Sequence, residues 1–373
     1  MRVAVDCRYV RTGRHDGISR FTAGVVGALA ELARGDDEVE LTMLVSDLRQ
    51  LDKLPDLPHL LVSDPTSPRE PLVALQVAAA RPDVVWSPMQ TMGSWGRRHR
   101  LVLTLHDLIY YTNRTPPPEF ALPLRLLWRL YHLAWWPQRM LLDRADAVVT
   151  VSRTTRDEMT RHRLTRRPVT VVSNAADPVA DARPRTAPEH RDLVYMGSFM
   201  PYKNVAALAR ALPLLDGHRL HLMSRVSDRE RASLTALAPA GSLVFHDGAS
   251  DEEYRDVLLG ATAVVTASRA EGFGIPLVEG MALGTPAVVS DIPIFREIGG
   301  DAALYFDPES PSSIAAAVRR LEGEWAARSA ASVQQAARFS WAASAEVLLE
   351  LLRTTGGAPR RRSRRRRSRS RSD

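Results

Sequence analysis

Two carboxylates eight positions apart, Glu271 and Glu279, bracket the glycine-rich turn Gly272-Phe273-Gly274-Ile275-Pro276. The preceding run, Ala261–Ala267, is apolar enough for a buried parallel strand. Ser268 to Gly274 is then a loop at that strand's carboxyl end, where open α/β sheets bind ligands. Gly272 and Gly274 let a ligand approach the backbone closely. Pro276 suits the first turn of a helix, whose unpartnered N–H groups favour an anion. Glu279 follows one turn later, and Gly284 ends the helix. Carboxylates for hydroxyl groups and amides for an anion together suit a polyhydroxylated ligand that carries phosphate.

The positive charge is written almost entirely as arginine. Of 50 basic residues only Lys53 and Lys203 are lysines. A compact, flexible point charge is expected to matter where lysine is used. Residues 360–373 hold nine arginines and one aspartate, a charge of +8, against +7 for the whole chain. The body is therefore near −1, and the high pI belongs to the tail.

The elements that must position these groups alternate. Strands are predicted at Arg2–Asp6, Glu40–Val45, Val84–Ser87, Leu101–Leu105, Ala147–Val151 and Val169–Val172, with a clear helix at Arg20–Arg34. A second series follows at 192–197, 219–223, 242–245, 261–266, 287–289 and 303–305. A chain of 373 residues exceeds one ordinary core. Two α/β halves, each a doubly wound parallel sheet and separated by a cleft, are the expected architecture. The boundaries expected are 1–176 for the first half and 177–338 for the second, with a helix at 339–354 crossing back to the first. A tail at 356–373 has no apolar residue after Pro359 and cannot bury a core.

Glu271 and Glu279, with Gly-Phe-Gly between them and Gly284-Thr285-Pro286 after, resemble the signature of the retaining GT-B glycosyltransferases of family 4. The resemblance covers nearly the whole chain except the tail. It implies the GT-B fold, two Rossmann-like domains facing a central cleft. It implies that Glu271 contacts hydroxyls of the donor sugar and Glu279 the ribose of the nucleotide. The backbone of Gly272, Phe273, Gly274 and Ile275 then meets the sugar and diphosphate. Gly197-Ser198-Phe199-Met200-Pro201-Tyr202-Lys203 matches the family's Gly-x-x-x-Pro-x-Lys stretch, which places Lys203 on the diphosphate. Ser198 lies in that stretch where many members carry arginine. Arg225, after the next strand, is either the replacement charge or a solvated loop arginine. In the first half the resemblance places His106 at the donor sugar, with Asp107 beside it to fix its tautomer; the other reading is an Asp that caps the loop beside a bystander His. Gly17, at the start of the first helix, is expected to let phosphate or acceptor approach.

The resemblance implies transfer of a hexose, of mannose type, from a nucleotide-diphosphate sugar to a glycan or glycolipid hydroxyl with retention. A sugar-nucleotide epimerase of similar architecture is the enzymatic alternative. A nucleic-acid-binding protein acting through the Arg/Ser tail is the non-enzymatic one, although the near-neutral body argues against specific nucleic-acid recognition. No Asp-x-Asp and no cysteine–histidine cluster occurs, so no metal and no cofactor beyond the donor is expected. One cysteine, no apolar N-terminal run and no spanning stretch lead to a cytoplasmic expectation. Residues 120–142, rich in Trp and Arg and interrupted near Pro137, are either a buried helix with snorkelling arginines or a surface for an anionic membrane or a lipid-linked acceptor. The tail is a second contact expected with the inner face of the plasma membrane.

Overall fold

The computed structural model describes residues 1–13, 16–116, 121–177 and 183–357. Strands β1 (Arg2–Asp6), β2 (Glu40–Val45), β3 (His59–Leu61), β4 (Val84–Ser87), β5 (Arg100–Leu105), β6 (Ala147–Thr150) and β7 (Val169–Val171) form one sheet in the order 3-2-1-4-5-6-7. Strands β8 (Asp192–Tyr195), β9 (Arg219–Leu222), β10 (Leu243–Phe245), β11 (Ala263–Thr266), β12 (Ala287–Ser290) and β13 (Leu304–Phe306) form a second, in the order 10-9-8-11-12-13. The strand pairs within both sheets are parallel.

Parallel sheets carry helices on both faces, so their central strands must be apolar throughout. Val84-Val85-Trp86-Ser87 and Ala287-Val288-Val289-Ser290 are buried at every position. Strand order reverses between β1 and β4 and again between β8 and β11, and each reversal opens a crevice at the strands' carboxyl ends. At the first crevice, buried Asp6 accepts from the Arg8 guanidinium (2.8 Å) and from Ser87 Oγ (2.9 Å), which ties β1 to β4. At the second, β8 leads into the Lys203 segment and β11 into the Glu271 loop.

One apolar cluster runs through both halves, from Val3, Val5 and Phe21 to Phe273, Leu277 and Trp341. The last helix, Trp341–Gly357, joins them by packing on the first helix, Gly17–Arg34. Phe21 meets Trp341 edge-on at 6.4 Å, and Phe339, just before that helix, meets Phe273 at 5.5 Å. Ser344 Oγ donates to the Ser173 carbonyl at 2.7 Å, and Trp341 Nε1 to Asp177 Oδ1 at 3.0 Å. Burying an aromatic side chain of this size stabilises by roughly 1.5–3 kcal/mol. The crossing helix therefore holds the halves together chiefly by apolar contact.

The structure differs from the sequence expectation in a few elements. β3 was not expected: His-Leu-Leu has no alternation, and only its pairing with β2 (Met43 opposite His59) makes it a strand. The first helix begins at Gly17 and not Arg20, because the Asp16 side chain accepts from Ser19 N and caps it. The 120–142 stretch is two helices, Leu122–Tyr131 and Trp136–Asp143. The break falls at 132–135, ahead of Pro137, which occupies the second helix's first turn. Residues 117–120 lie outside the described residues. The last helix continues through Gly356 to Gly357, where a break was expected. Residues 358–373, the charged part of the tail, lie outside the described residues. Among the described residues no helix is long and apolar enough to cross a membrane.

Candidate active site

The loop after β11 folds back on itself through hydroxyls. Thr266 Oγ1 and Ser268 Oγ lie 3.0 Å apart, and Ser268 Oγ donates to Glu271 Oε1 at 2.8 Å. The same oxygen receives Lys203 Nζ at 2.5 Å, so Glu271 and Lys203 form an ion pair with both side chains mostly covered. Lys203 ends a short 3-10 turn, Pro201–Lys203, and its ammonium also lies 5.5 Å from the Tyr202 ring.

Phe273 is buried and anchors the loop, while the glycines beside it leave the backbone open. Gly274 has φ +97°, a conformation that favours glycine, and N-caps the helix Ile275–Ala282 without any side-chain cap. Pro276 has no N–H and Leu277 N donates to the Gly274 carbonyl at 3.0 Å, so the amide this helix start leaves without a side-chain cap is that of Ile275. At the far end, Thr285 N donates to the Gly280 carbonyl (2.9 Å) and Gly284 N to that of Met281 (3.0 Å), the expected glycine stop.

The first half closes over this loop. A Cβ on Gly272 would sit 2.9 Å from the His106 carbonyl oxygen and 3.0 Å from Asp107 Cβ. Gly17, opening the first helix, faces Ile275, whose Cδ1 would be 3.7 Å from a Cβ there. His106, Gly17, Gly272 to Ile275, Glu271 and Lys203 are thus brought to one cleft. Ser198 flanks it, its carbonyl accepting from the Tyr195 hydroxyl at 2.5 Å. Arg225 is exposed, and its guanidinium makes no hydrogen bond among the described residues. Its neighbour Ser224 is engaged, accepting from Gly197 N at 3.2 Å.

His106 Nε2 donates to the Pro88 carbonyl at 2.7 Å, and the ring meets Phe21 edge-on at 5.1 Å. Pro88, and not Asp107, sets the tautomer. Asp107 instead accepts from Ile109 N at 3.0 Å and caps the turn that follows. Burial pushes the imidazole pKa down to about 4. The ring is therefore neutral near pH 7, with Nδ1 left as an acceptor. Unfolding returns the ring to its ordinary pKa of 6.5, so the unfolded chain binds more protons between pH 4 and 6.5 and stability rises with pH across that window. Denaturant unfolding of the parent and of His106→Gln over this range checks it. The parent should lose stability relative to the variant as pH falls from 6.5, with no trend above. A constant difference would mean that His106 is not held neutral.

The sequence reading missed the partner of Glu279. Arg20, one turn into the first helix, donates to Glu279 Oε1 at 2.7 Å and also pairs with Asp251. Burial pushes the Glu279 carboxyl up, and Arg20 pulls it back. A second clasp is Glu297, which accepts from the backbone of Arg153 (2.8 Å) and Thr154 (2.7 Å) at the start of helix Arg153–Arg161. The signal available for Arg20 was an arginine set among Ile18, Phe21 and Val25, with no further charged residue in the helix until Glu31.

Comparison with known proteins gives the same architecture. Residues 180–338 match the model described as "Glycosyl transferases group 1". Residues 17–179 match that described as "Glycosyltransferase Family 4". The chain is 25% identical over 246 residues to the O-antigen chain mannosyltransferase RfbU of Salmonella typhimurium, covering 64% of this chain and 69% of that protein. It is 28% identical over 269 residues to the O-antigen chain mannosyltransferase B of Escherichia coli, covering 66% and 68%. Among solved structures, sucrose-phosphate synthase from Thermosynechococcus elongatus superposes with a TM-score of 0.71 at 18% identity, over 96% of this chain and all of that one. Two matched models spanning both halves, and two doubly wound sheets around a cleft that gathers the signature residues, decide for a glycosyltransferase over the epimerase: this chain belongs to the family 4 glycosyltransferases and has the GT-B fold.

Proposed function

We propose that this protein is a retaining, metal-independent mannosyltransferase. It takes mannose from a nucleotide-diphosphate sugar and places it on a hydroxyl of a cell-envelope glycan or glycolipid. The carrying observation is the Lys203–Glu271 pair set beside an uncapped helix start, with Glu279 one turn deeper and His106 across the cleft. The mannosyl and envelope parts rest on the relatives, both described as O-antigen chain mannosyltransferases.

The diphosphate occupies the space between the Lys203 ammonium and the Ile275 amide that opens helix Ile275–Ala282. Glu279 takes the ribose hydroxyls, and Glu271 turns from Lys203 to the sugar hydroxyls. As the C1–O bond breaks, its electron pair goes to the diphosphate, where Lys203 stabilises the growing charge. The acceptor oxygen bonds C1 on the face that the diphosphate leaves. The acceptor proton passes to the departing phosphate oxygen. Neutral His106 offers Nδ1 to a hydroxyl and is not asked to carry charge. Closure at Gly272 excludes water that would otherwise hydrolyse the donor. Lys203 and the helix start supply the neutralising charge. Among the described residues no group of three His, Cys, Asp or Glu side chains is placed to hold a metal ion.

Transfer from GDP-α-mannose to an alkyl mannoside in EDTA tests the reading, with product configuration read by NMR. An α-mannoside formed at undiminished rate is expected. A β product, activity lost in EDTA and restored by magnesium, or no turnover of any nucleotide sugar by the folded protein would each overturn it.

A further inference from the structure

Fifteen large hydrophobic side chains are exposed among the described residues, and eight of them lie between Leu122 and Met140. Helix Leu122–Tyr131 turns Trp128 and Tyr131 inward. Trp128 meets Tyr110 edge-on at 5.1 Å, and the Tyr131 hydroxyl donates to Gln138 at 2.9 Å. Its other side presents Leu122, Leu126, Leu127 and Leu130, each at least 55% exposed. The next helix, Trp136–Asp143, adds Trp136 and Met140. A continuous apolar patch of this kind marks a docking surface.

A cavity lies beside this patch, between helix Trp136–Asp143, helix Arg153–Arg161 and the loop into β7. Five arginines line it: Arg139, Arg156, Arg163, Arg166 and Arg167. Patch and cavity are joined, because Trp135 stacks on His162 at 4.2 Å and Arg139 donates to the carbonyls of His162 (2.8 Å) and Arg163 (3.1 Å). One acid, Asp143, faces the cavity, and it already accepts from Thr165 Oγ1 (2.9 Å) and Arg166 N (3.0 Å). Outside the cavity lining, Asp157 pairs with Arg156 at 3.1 Å. The guanidinium groups of Arg163 and Arg166 make no hydrogen bond or ion pair among the described residues. Like charges gathered this closely repel unless an anion joins them.

We propose that this face docks on an anionic lipid surface. The leucines, Trp136 and Met140 enter the acyl boundary, and a lipid phosphate occupies the arginine cavity. Charge complementarity selects this partner: guanidinium groups take phosphate oxygens in paired hydrogen bonds, and phospholipid sets acyl chains directly beside its phosphate. The surface is distinct from the donor cleft, so its test needs no sugar transfer. It nevertheless adjoins the cleft, since Tyr110, which meets Trp128 edge-on, follows three residues after Asp107, which packs on Gly272.

The test is co-sedimentation of the full chain with phosphatidylglycerol–phosphatidylcholine vesicles and with phosphatidylcholine alone. The nine tail arginines are changed to glutamine throughout, so that only the folded face is read. Binding to the anionic vesicles is expected. Arg163→Gln, Arg166→Gln and Arg167→Gln together should weaken it about a hundredfold, near fivefold for each charge. Leu126→Ser, Leu127→Ser and Leu130→Ser together should weaken it at least about tenfold. Unaltered melting and nucleotide binding show that each variant is folded. Vesicle binding unchanged by either set overturns the proposal. So does full competition by millimolar inorganic phosphate with the leucine set inert, which makes the cavity a free-anion site. A dimer dispersed by the leucine set, with vesicle binding intact, makes the face an interface between copies and overturns it equally.

Discussion

Lys203→Ala lowers kcat by about two to three orders of magnitude, the usual cost of removing one donor from a site where charge develops. The ammonium pairs with Glu271 at 2.5 Å, with the side chain 16% exposed. When a diphosphate enters, the same ammonium lies beside the bond that breaks, in a cleft closed by the first half. Its stabilisation grows with charge transfer, so kcat and kcat/KM fall together. Lys203→Arg keeps the charge but replaces a compact group with a planar fork, and it should recover less than about tenfold of the loss. The site is already lined by the Tyr202 ring and the Ser268 hydroxyl, which leaves a fork little room. The pair is mostly covered, so the substitution also leaves Glu271 without its counter-charge and should lower the melting temperature, a loss that calorimetry reads apart from kcat. Steady-state kinetics with calorimetric melting decide the matter. A loss of kcat smaller than about tenfold would remove Lys203 from the chemistry.

The second large effect is on binding. Glu279→Ala should weaken nucleotide affinity by about tenfold to a hundredfold, because hydrogen bonds to a charged group contribute roughly 1.5–3 kcal/mol. Arg20 makes this residue more than a passive acceptor. Arg20 and Glu279 are 259 positions apart in sequence and 2.7 Å apart in space, one from each half of the molecule. The ribose must share or displace that contact, so donor binding and closure of the halves draw on the same carboxylate. Arg20 also opposes burial, which by itself pushes the Glu279 carboxyl up. Removing the guanidinium in Arg20→Gln takes away the main opposition to burial, and the carboxylate then takes up a proton more readily. Burial holds the Glu279 carboxyl above its ordinary range even in the parent, so nucleotide affinity should weaken as pH falls in both proteins, and at a higher pH in the variant. Isothermal titration of the nucleoside diphosphate at several pH values reads both variants. Glu279→Ala with parental affinity would move the ribose elsewhere. An Arg20→Gln pH profile that matches the parent's would show that Arg20 does not maintain the charge.

The parts of this protein that were legible in its sequence are those whose causes are local. Apolar runs such as Val84–Ser87 and Ala287–Val289 become parallel strands because both their faces are covered. Gly274, Pro276 and Gly284 mark a turn, a helix start and a helix stop, since each position demands a backbone geometry that few residues meet. The spacing of Glu271 and Glu279 places them at the two ends of that same local unit, which is why the cleft's chemistry could be read before its shape. Where a residue's role depends on what faces it, the sequence was silent. His106 takes its tautomer from Pro88, 18 positions away, and not from the adjacent Asp107. Glu297 caps a helix of the opposite half. The three residues of β3 become a strand only through β2. The leucines of helix Leu122–Tyr131 have a periodicity that suits a core or a membrane surface alike, and only the docking of Trp128 and Tyr131 shows which side faces out. Periodicity and turn chemistry act over a few residues and determine the elements. The partners of buried charges are chosen when the two halves meet, by the desolvation that forces each one to find a counter-charge within reach.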